Sequence, residues 1–284
     1  MEWRTAGILR LPPSASLPWG YHTNQGAIRM PTIHLLGRVL PEVARIDGQL
    51  PELDWKWEEE NISLHFRVKI SQSSIDVQCD LPIYKPEYIT ELHKRGSDVA
   101  RIAVNLICFS TGFGLTTVIE TLIAPDGVRS TILPQDLSLA SLCTAYGLGA
   151  APNADLDTVA QLVLVEFPLF RALHDLIESI TTPHVATVNC GRVVDSIRRM
   201  ITPVGTSSDQ QAWVAMQTAL NIARTYLQPV TNTSTGPRHG DPAFIPGTVA
   251  TDVTHRAWTV MNRFLEYRKR SNVTLTAPHF PLLT

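Results

Sequence analysis

Arg238 and His239 stand side by side in TNTSTGPRHGDPAFIPGT, residues 231–248, a run dense in Gly, Pro, Thr and Asp between two helical patterns. An imidazole with an ordinary pKa near 6.5 can take or give a proton at neutral pH. A guanidinium presents a rigid fork of donors that binds phosphate and stabilises charge developing on it. On a constrained turn the pair is equipped for metal-free phosphodiester chemistry, with His239 as acid/base and Arg238 as phosphate stabiliser. Gly236, Pro237, Gly240 and Pro242 restrict some torsions and free others, which is how a turn aims side chains. The next helical pattern carries Arg256, Arg263, Arg268, Lys269 and Arg270, a basic flank for a nucleic-acid backbone. The same residues also have a structural use. Asp241 and the threonines can make turn hydrogen bonds, Arg238 and His239 can brace the loop, and cations late in a helix suit the negative end of its dipole.

Other chemistries lack their motifs. The chain has no Walker loop, no GxGxxG after a strand, no GxSxG elbow and no HExxH. Gly112-Phe113-Gly114 falls where a helical pattern gives way to a strand, a usual place for glycine to end a helix. His65, His93 and His174 lie inside strand or helix patterns and read as packing or surface residues. Cys79, Cys108, Cys143 and Cys190 form no CxxC or Cys/His cluster, so reduced thiols, no metal and no cofactor are expected. The start, MEWRTAGILRLPPSAS, has no long apolar region of the signal-peptide kind. No stretch approaches the ~20 apolar residues of a membrane span, so the expectation is a cytoplasmic protein without a membrane partner. The net charge of −2 is unevenly spread: from His184 onward ten Lys and Arg face five Asp and Glu, while the first 150 residues carry a balance of −3. A basic C-terminal third suits a polyanionic partner, and equally ordinary surface variation.

These residues must be held by elements that the pattern outlines. With 284 residues, 44% apolar and 18% charged, the chain suits two domains with proper cores. The first ~60 residues show no clear pattern; LPPSASLPWG is a Pro-rich turn region and WKWEEE a loop or strand edge. ISLHFRVKI and SIDVQCD alternate polar and apolar residues and are joined by SQSS, which predicts a hairpin. PEYITELHKRGSDVARIAVNLICFSTG predicts an amphipathic helix with Pro86 in its first turn. LTTVIETLIA, APDG and VRSTIL predict a second hairpin. The small-residue stretch YGLGAAPNAD marks a boundary, giving an α+β domain over 1–150 and a helical bundle over 151–284. In the second part LDTVAQLVLVEF and PLFRALHDLIESI are helical in two pieces around Pro168, and CGRVVDSIRRMI is a shorter helix. SSDQQAWVAMQTALNIARTYLQ opens with a capping box at Ser208 and Gln211, with Trp213, Met216, Leu220, Ala223 and Leu227 on one face. HRAWTVMNRFLEYRKR, capped by TDVT, completes a bundle of four to five helices. The fold class is therefore α+β, a mixed sheet-plus-helix domain followed by an all-α bundle.

The helical order over residues 156–272, with an Arg/His-bearing turn before the last long helix, resembles the HEPN superfamily. That resemblance implies a prokaryotic defence or toxin–antitoxin setting, a metal-independent ribonuclease, and a homodimer that builds a composite site on RNA. A protein partner such as an antitoxin also belongs to that expectation. The family's active members space Arg and His four to six residues apart. Here Arg238 and His239 are adjacent, and Arg171 and His174 have two residues between them on a predicted helix. The mechanism therefore does not transfer residue by residue, and the alternative is a non-catalytic interaction or dimerisation protein whose 231–248 segment is structural or a recognition surface.

Overall fold

The structure is a computed structural model that describes residues 30–133, 135–145, 154–206, 208–240 and 245–284. The chain divides after Leu133 into two compact units, and the architecture is α+β. The expected boundary stretch YGLGAAPNAD falls almost entirely outside the described residues.

The first unit is an antiparallel sheet with one long helix on it. Strands β1 (Thr32–Leu40), β2 (Gly48–Gln49), β3 (Leu53–Trp57), β4 (Ile62–Ser71), β5 (Ser74–Asp80), β6 (Thr116–Ile123) and β7 (Arg129–Thr131) run in the order β2-β4-β5-β1-β6-β7. β3 shares the outer edge of β4 with β2. The hairpin expected from ISLHFRVKI and SIDVQCD is β4–β5, turned by Gln72 and Ser73, both at positive φ. Such a two-residue turn matches the twist of its strands. Alternation puts Leu64, Phe66, Val68 and Ile70 on the buried face beside Ile75, Val77 and Cys79. Helix α1 (Ile89–Thr111) covers that face with Leu92, Val99, Ala100, Ala103 and Val104. It ends at Gly112, whose φ of 73° suits a residue without a Cβ and whose N–H bonds the Cys108 carbonyl.

Two features of this unit had no clear sequence pattern. β1 is the middle strand, paired with β5 on one side and β6 on the other. Its run IHLLGRVL lacks clean alternation, and the pairing with β6 shifts register between Leu36 and Gly37. The segment WKWEEE has a specific role too. Trp55 and Trp57 present their rings to the Arg95 guanidinium at 5.2 and 5.3 Å, while Glu91 pairs with it at 2.9 Å. Glu60 accepts a hydrogen bond of 2.6 Å from the Tyr88 hydroxyl. The buried cation thus ties α1 to β3 through the π faces of two tryptophans, with Glu91 of its own helix as the counter-charge.

The second unit contains seven α-helices among its described residues: α2 (Leu137–Leu142), α3 (Ala154–Val165), α4 (Phe167–Thr181), α5 (Ala186–Ile201), α6 (Asp209–Leu220), α7 (Arg224–Arg238) and α8 (Gly247–Lys269). The break at Pro168 holds, with the proline in the first turn of α4. α5 begins before CGRVVDSIRRMI and is the central helix, burying Cys190, Val193, Val194 and Ile197 among α4, α6, α7 and α8. Ser208 caps α6 as expected, its hydroxyl accepting from the Gln211 N–H at 3.2 Å.

Three boundaries differ from the sequence expectation. The helix predicted from Ser208 to Gln228 is two helices, because Asn221 takes a left-handed conformation with φ 53° and stops α6. A C-terminal tail fills that break: Leu283 forms a parallel bridge with Ile222, and its carbonyl accepts from the Ala223 N–H at 2.7 Å. α8 starts at Gly247, so TDVT lies inside the helix rather than capping it. Finally, residues 231–238 are helix and not loop, which changes the setting of the Arg-His pair.

Candidate functional site

α7 reads RTYLQPVTNTSTGPR, with two prolines, a glycine and a string of hydroxyl residues, a composition that disfavours helix. Its hydroxyls bond back along the helix. Thr233 donates to the Pro229 carbonyl at 2.8 Å, Thr235 to Thr231 at 2.7 Å, and Ser234 to Thr231 at 3.1 Å. The polar side chains are thereby satisfied within the turn they occupy. The helix closes with the His239 N–H on Gly236 and the Gly240 N–H on Pro237.

Arg238 is the last residue of α7, and its guanidinium turns back along its own helix and across to α5. Nε donates to the Ser234 carbonyl at 3.1 Å, one Nη to the Ser234 hydroxyl at 2.7 Å, and the other to Asp195 on α5 at 2.6 Å. The crossing is close because Gly191 of α5 lies against fully buried Ser234; a Cβ there would sit 2.4 Å from its Oγ and 2.9 Å from the Arg238 Nη. His239, the C-cap, is exposed. One member of the pair is engaged by α5 while the other faces solvent. Asp241 and Pro242 lie outside the described residues.

The five cations of α8 do not share a face. Arg256, Arg263 and Arg270 recur every seven residues, whereas Arg268 and Lys269 point elsewhere around the helix. Arg256 pairs with Asp252 at 2.8 Å, donates to the Tyr226 carbonyl at 3.1 Å and lies over the Tyr226 ring at 4.9 Å. Arg263 is buried, donating to the carbonyls of Leu220 and Asn221 at 2.8 and 2.9 Å, and to that of Pro281. Burial lowers its pKa from the ordinary value. It is the fork that closes the α6–α7 break and fastens the tail. Arg268 pairs with Glu166, and Lys269 donates to the Ala145 carbonyl. Arg270 lies 3.6 Å from Glu266 and stacks over Phe280 at 4.8 Å. Each cation is tied to a carboxylate, a carbonyl or a ring of its own unit.

A cluster with no sequence motif joins α2 to α8. His255 Nε2 lies 2.5 Å from Asp136 and 3.3 Å from the Ser138 hydroxyl, and Asp136 also accepts from the Ser138 N–H at 3.0 Å. The Asp136 carboxyl is held below its usual pKa by Ser138 and then by His255. Carboxylate and hydroxyl meet the same ring nitrogen, so the geometry is a clasp and not a relay in which the base is oriented through its second nitrogen. Alongside it, Asn262 accepts from the N–H groups of Thr144 and Ala145, both at 2.8 Å. Residues 136–145 are thus bound into the helical unit.

Two histidines of the first unit are engaged or partly buried. His65 sits 2.8 Å from Asp54 and 3.3 Å from Glu52, and the Asp54 bond raises its pKa. Burial lowers that of His93. A surface hollow of about 430 Å³ is lined by Thr158, Gln161, Leu162, Val165 and Glu166, and its carboxylate is the one that pairs with Arg268. Among the described residues no group of three His, Cys, Asp or Glu could hold a metal ion. No helix among them is long and apolar enough to cross a membrane.

Two family models match the chain. Residues 33–133 match the N-terminal domain, and residues 156–269 the C-terminal domain, of a domain of unknown function, DUF8168. No curated protein and no solved structure matches.

Proposed function

We propose that this chain is a non-catalytic interaction protein, in which the helical unit is a docking scaffold and Arg238 braces it from within. The observation that carries this reading is the Arg238 guanidinium, committed to Asp195 and twice to Ser234. An arginine that stabilises a phosphoryl transition state must have its fork free for the substrate. Here that fork is spent on joining α7 to α5. The α8 cations support the same reading, since a phosphate backbone would compete with Asp252, Glu166 and Glu266 for them. Four free thiols suit a reducing, cytoplasmic compartment.

The RNA-acting reading keeps one observation, the exposed imidazole of His239. Incubating the full chain with mixed cellular RNA and a chelator, beside Arg238→Ala and His239→Ala, separates the two. The expected result is no cleavage by any of the three. Chelator-resistant cleavage by the unsubstituted chain, lost in both folded variants, overturns the interaction reading in favour of an HEPN-like ribonuclease.

A further inference from the structure

We propose that the exposed face of α4 is a self-association surface that pairs antiparallel with the same face of a second copy of this chain. The proposal rests on the interaction reading above and names its partner. α4 buries Leu169, Ala172 and Leu176 on one side. On the other it exposes Phe167 (65%), Phe170 (51%) and Ile177 (44%). With His174, which is also exposed, these recur at spacings of three, four and three, the pattern of a helix–helix seam. The two phenylalanines stack on each other at 6.0 Å between centroids, and Leu164 and Val165 at the end of α3 extend the apolar surface beside them.

The charges beside this stripe say what covers it. Arg171 and Asp175 lie along one flank, and among the described residues neither has an ion-pair or hydrogen-bonding partner. A two-fold axis level with residues 172–173 sets Phe167 against Ile177 of the second copy and Phe170 against His174 of the second copy. Rotation about an axis normal to the two helices keeps each flank on its own side. Arg171 of each copy therefore meets Asp175 of the other, with an axial offset of about 3 Å at 1.5 Å per residue. Both unpaired charges gain a partner, and each pair is made twice. Aromatic side chains bury 150–250 Å² each, so five apolar residues about half to four-fifths exposed supply on the order of 500 Å² per copy. The pair then reaches the ~1,000 Å² of a specific interface.

Sedimentation velocity of the full chain across the micromolar range tests this. The expected result is a concentration-dependent dimer that Phe170→Asp converts to monomer without changing the far-ultraviolet circular dichroism. Arg171→Asp and Asp175→Arg each place like charges opposite one another twice, and each weakens the dimer roughly five- to ten-fold. The chain carrying both substitutions restores opposite charges across the axis and returns to near the original affinity. A monomer at every concentration, a dimer indifferent to Phe170→Asp, or a double variant no better than the singles overturns the proposal. The RNA assay separates this from the reading beneath it. A dimer that cleaves RNA through Arg238 refutes the interaction reading and leaves the α4 face standing, whereas an inert monomer refutes the face alone.

Discussion

Removing the Arg238 side chain should cost stability rather than activity, and the structure sets the size of that cost. The guanidinium makes three hydrogen bonds, one of them to a carboxylate, and the side chains of that Arg238–Asp195 pair are 27% and 29% exposed. A neutral bond contributes about 1 kcal/mol net and a charged one more, but partial exposure screens the charged pair. Arg238→Ala should therefore cost roughly 1.5–2.5 kcal/mol. Asp195→Ala should cost less, roughly 0.5–1.5 kcal/mol, because Arg238 keeps both bonds to Ser234. The double variant should show a coupling of about 0.5–1 kcal/mol between them. For a unit of this size the Arg238→Ala loss corresponds to a fall in melting temperature of roughly 3–8 °C. Urea unfolding followed by far-ultraviolet circular dichroism measures all three free energies. A midpoint for Arg238→Ala that matches the parent, or a coupling of zero, would show that the α5–α7 brace is not what holds this residue in place.

Three other expectations follow from single features. Ser208→Ala removes the hydroxyl that caps α6 and should cost about 1 kcal/mol in the same unfolding assay. His65 has its pKa raised by Asp54, so its contribution is fully present below the ordinary histidine value and is lost as pH rises through the raised one. Stability measured across pH 5–8 should show this small decline, and Asp54→Asn should remove it. Asn221→Ala forces a Cβ-bearing residue without a compensating side chain into a left-handed position and also loses the bond to the Phe280 carbonyl, so it should destabilise the chain by roughly 1–2 kcal/mol. Asn221→Gly, which relieves the backbone and still loses the bond, should lie between it and the parent.

What was legible in the sequence is what depends on local pattern. The β4–β5 hairpin, α1, the β6–β7 hairpin and the Ser208 cap all follow from alternation, helical spacing or a capping box within a dozen or so residues. β1 escaped because a middle strand buried against α1 and bent at Gly37 shows neither clean alternation nor a turn signal of its own. The α6–α7 break escaped because apolar spacing continues through Leu220, Ala223 and Leu227 whether or not the backbone does, and only the φ of Asn221 interrupts it. The opposite error arose in α7. Its Pro, Gly, Thr and Ser content is that of a turn, yet it is helical where it packs on α5 and buries Leu227, Val230 and Ser234, its hydroxyls bonded to carbonyls three and four residues back. That mistake carried into the site, since a pair expected at the tip of a loop is instead at the end of a packed helix. The partner of Arg238 is 43 positions away in sequence, and no local rule could have named Asp195.

The basic C-terminal third shows the same limit on the scale of charge. Counting residues gives an excess of cations, which taken alone suits a polyanion. Counting contacts gives a different account. Arg263 serves as a buried donor to three carbonyls, closing the α6–α7 break and the tail upon it, and Lys269 donates to a fourth. Carbonyls carry no formal charge, so cations that bond them add to the net balance without leaving a donor fork for phosphate. A local excess of positive charge can therefore come from packing where helices end and chains turn, because orphan carbonyls collect there. The unpaired charges of α4 fit the complementary argument. Arg171 and Asp175 are balanced in number and so invisible to a net count, yet among the described residues neither is paired, and the proposed α4 pairing is what would use them.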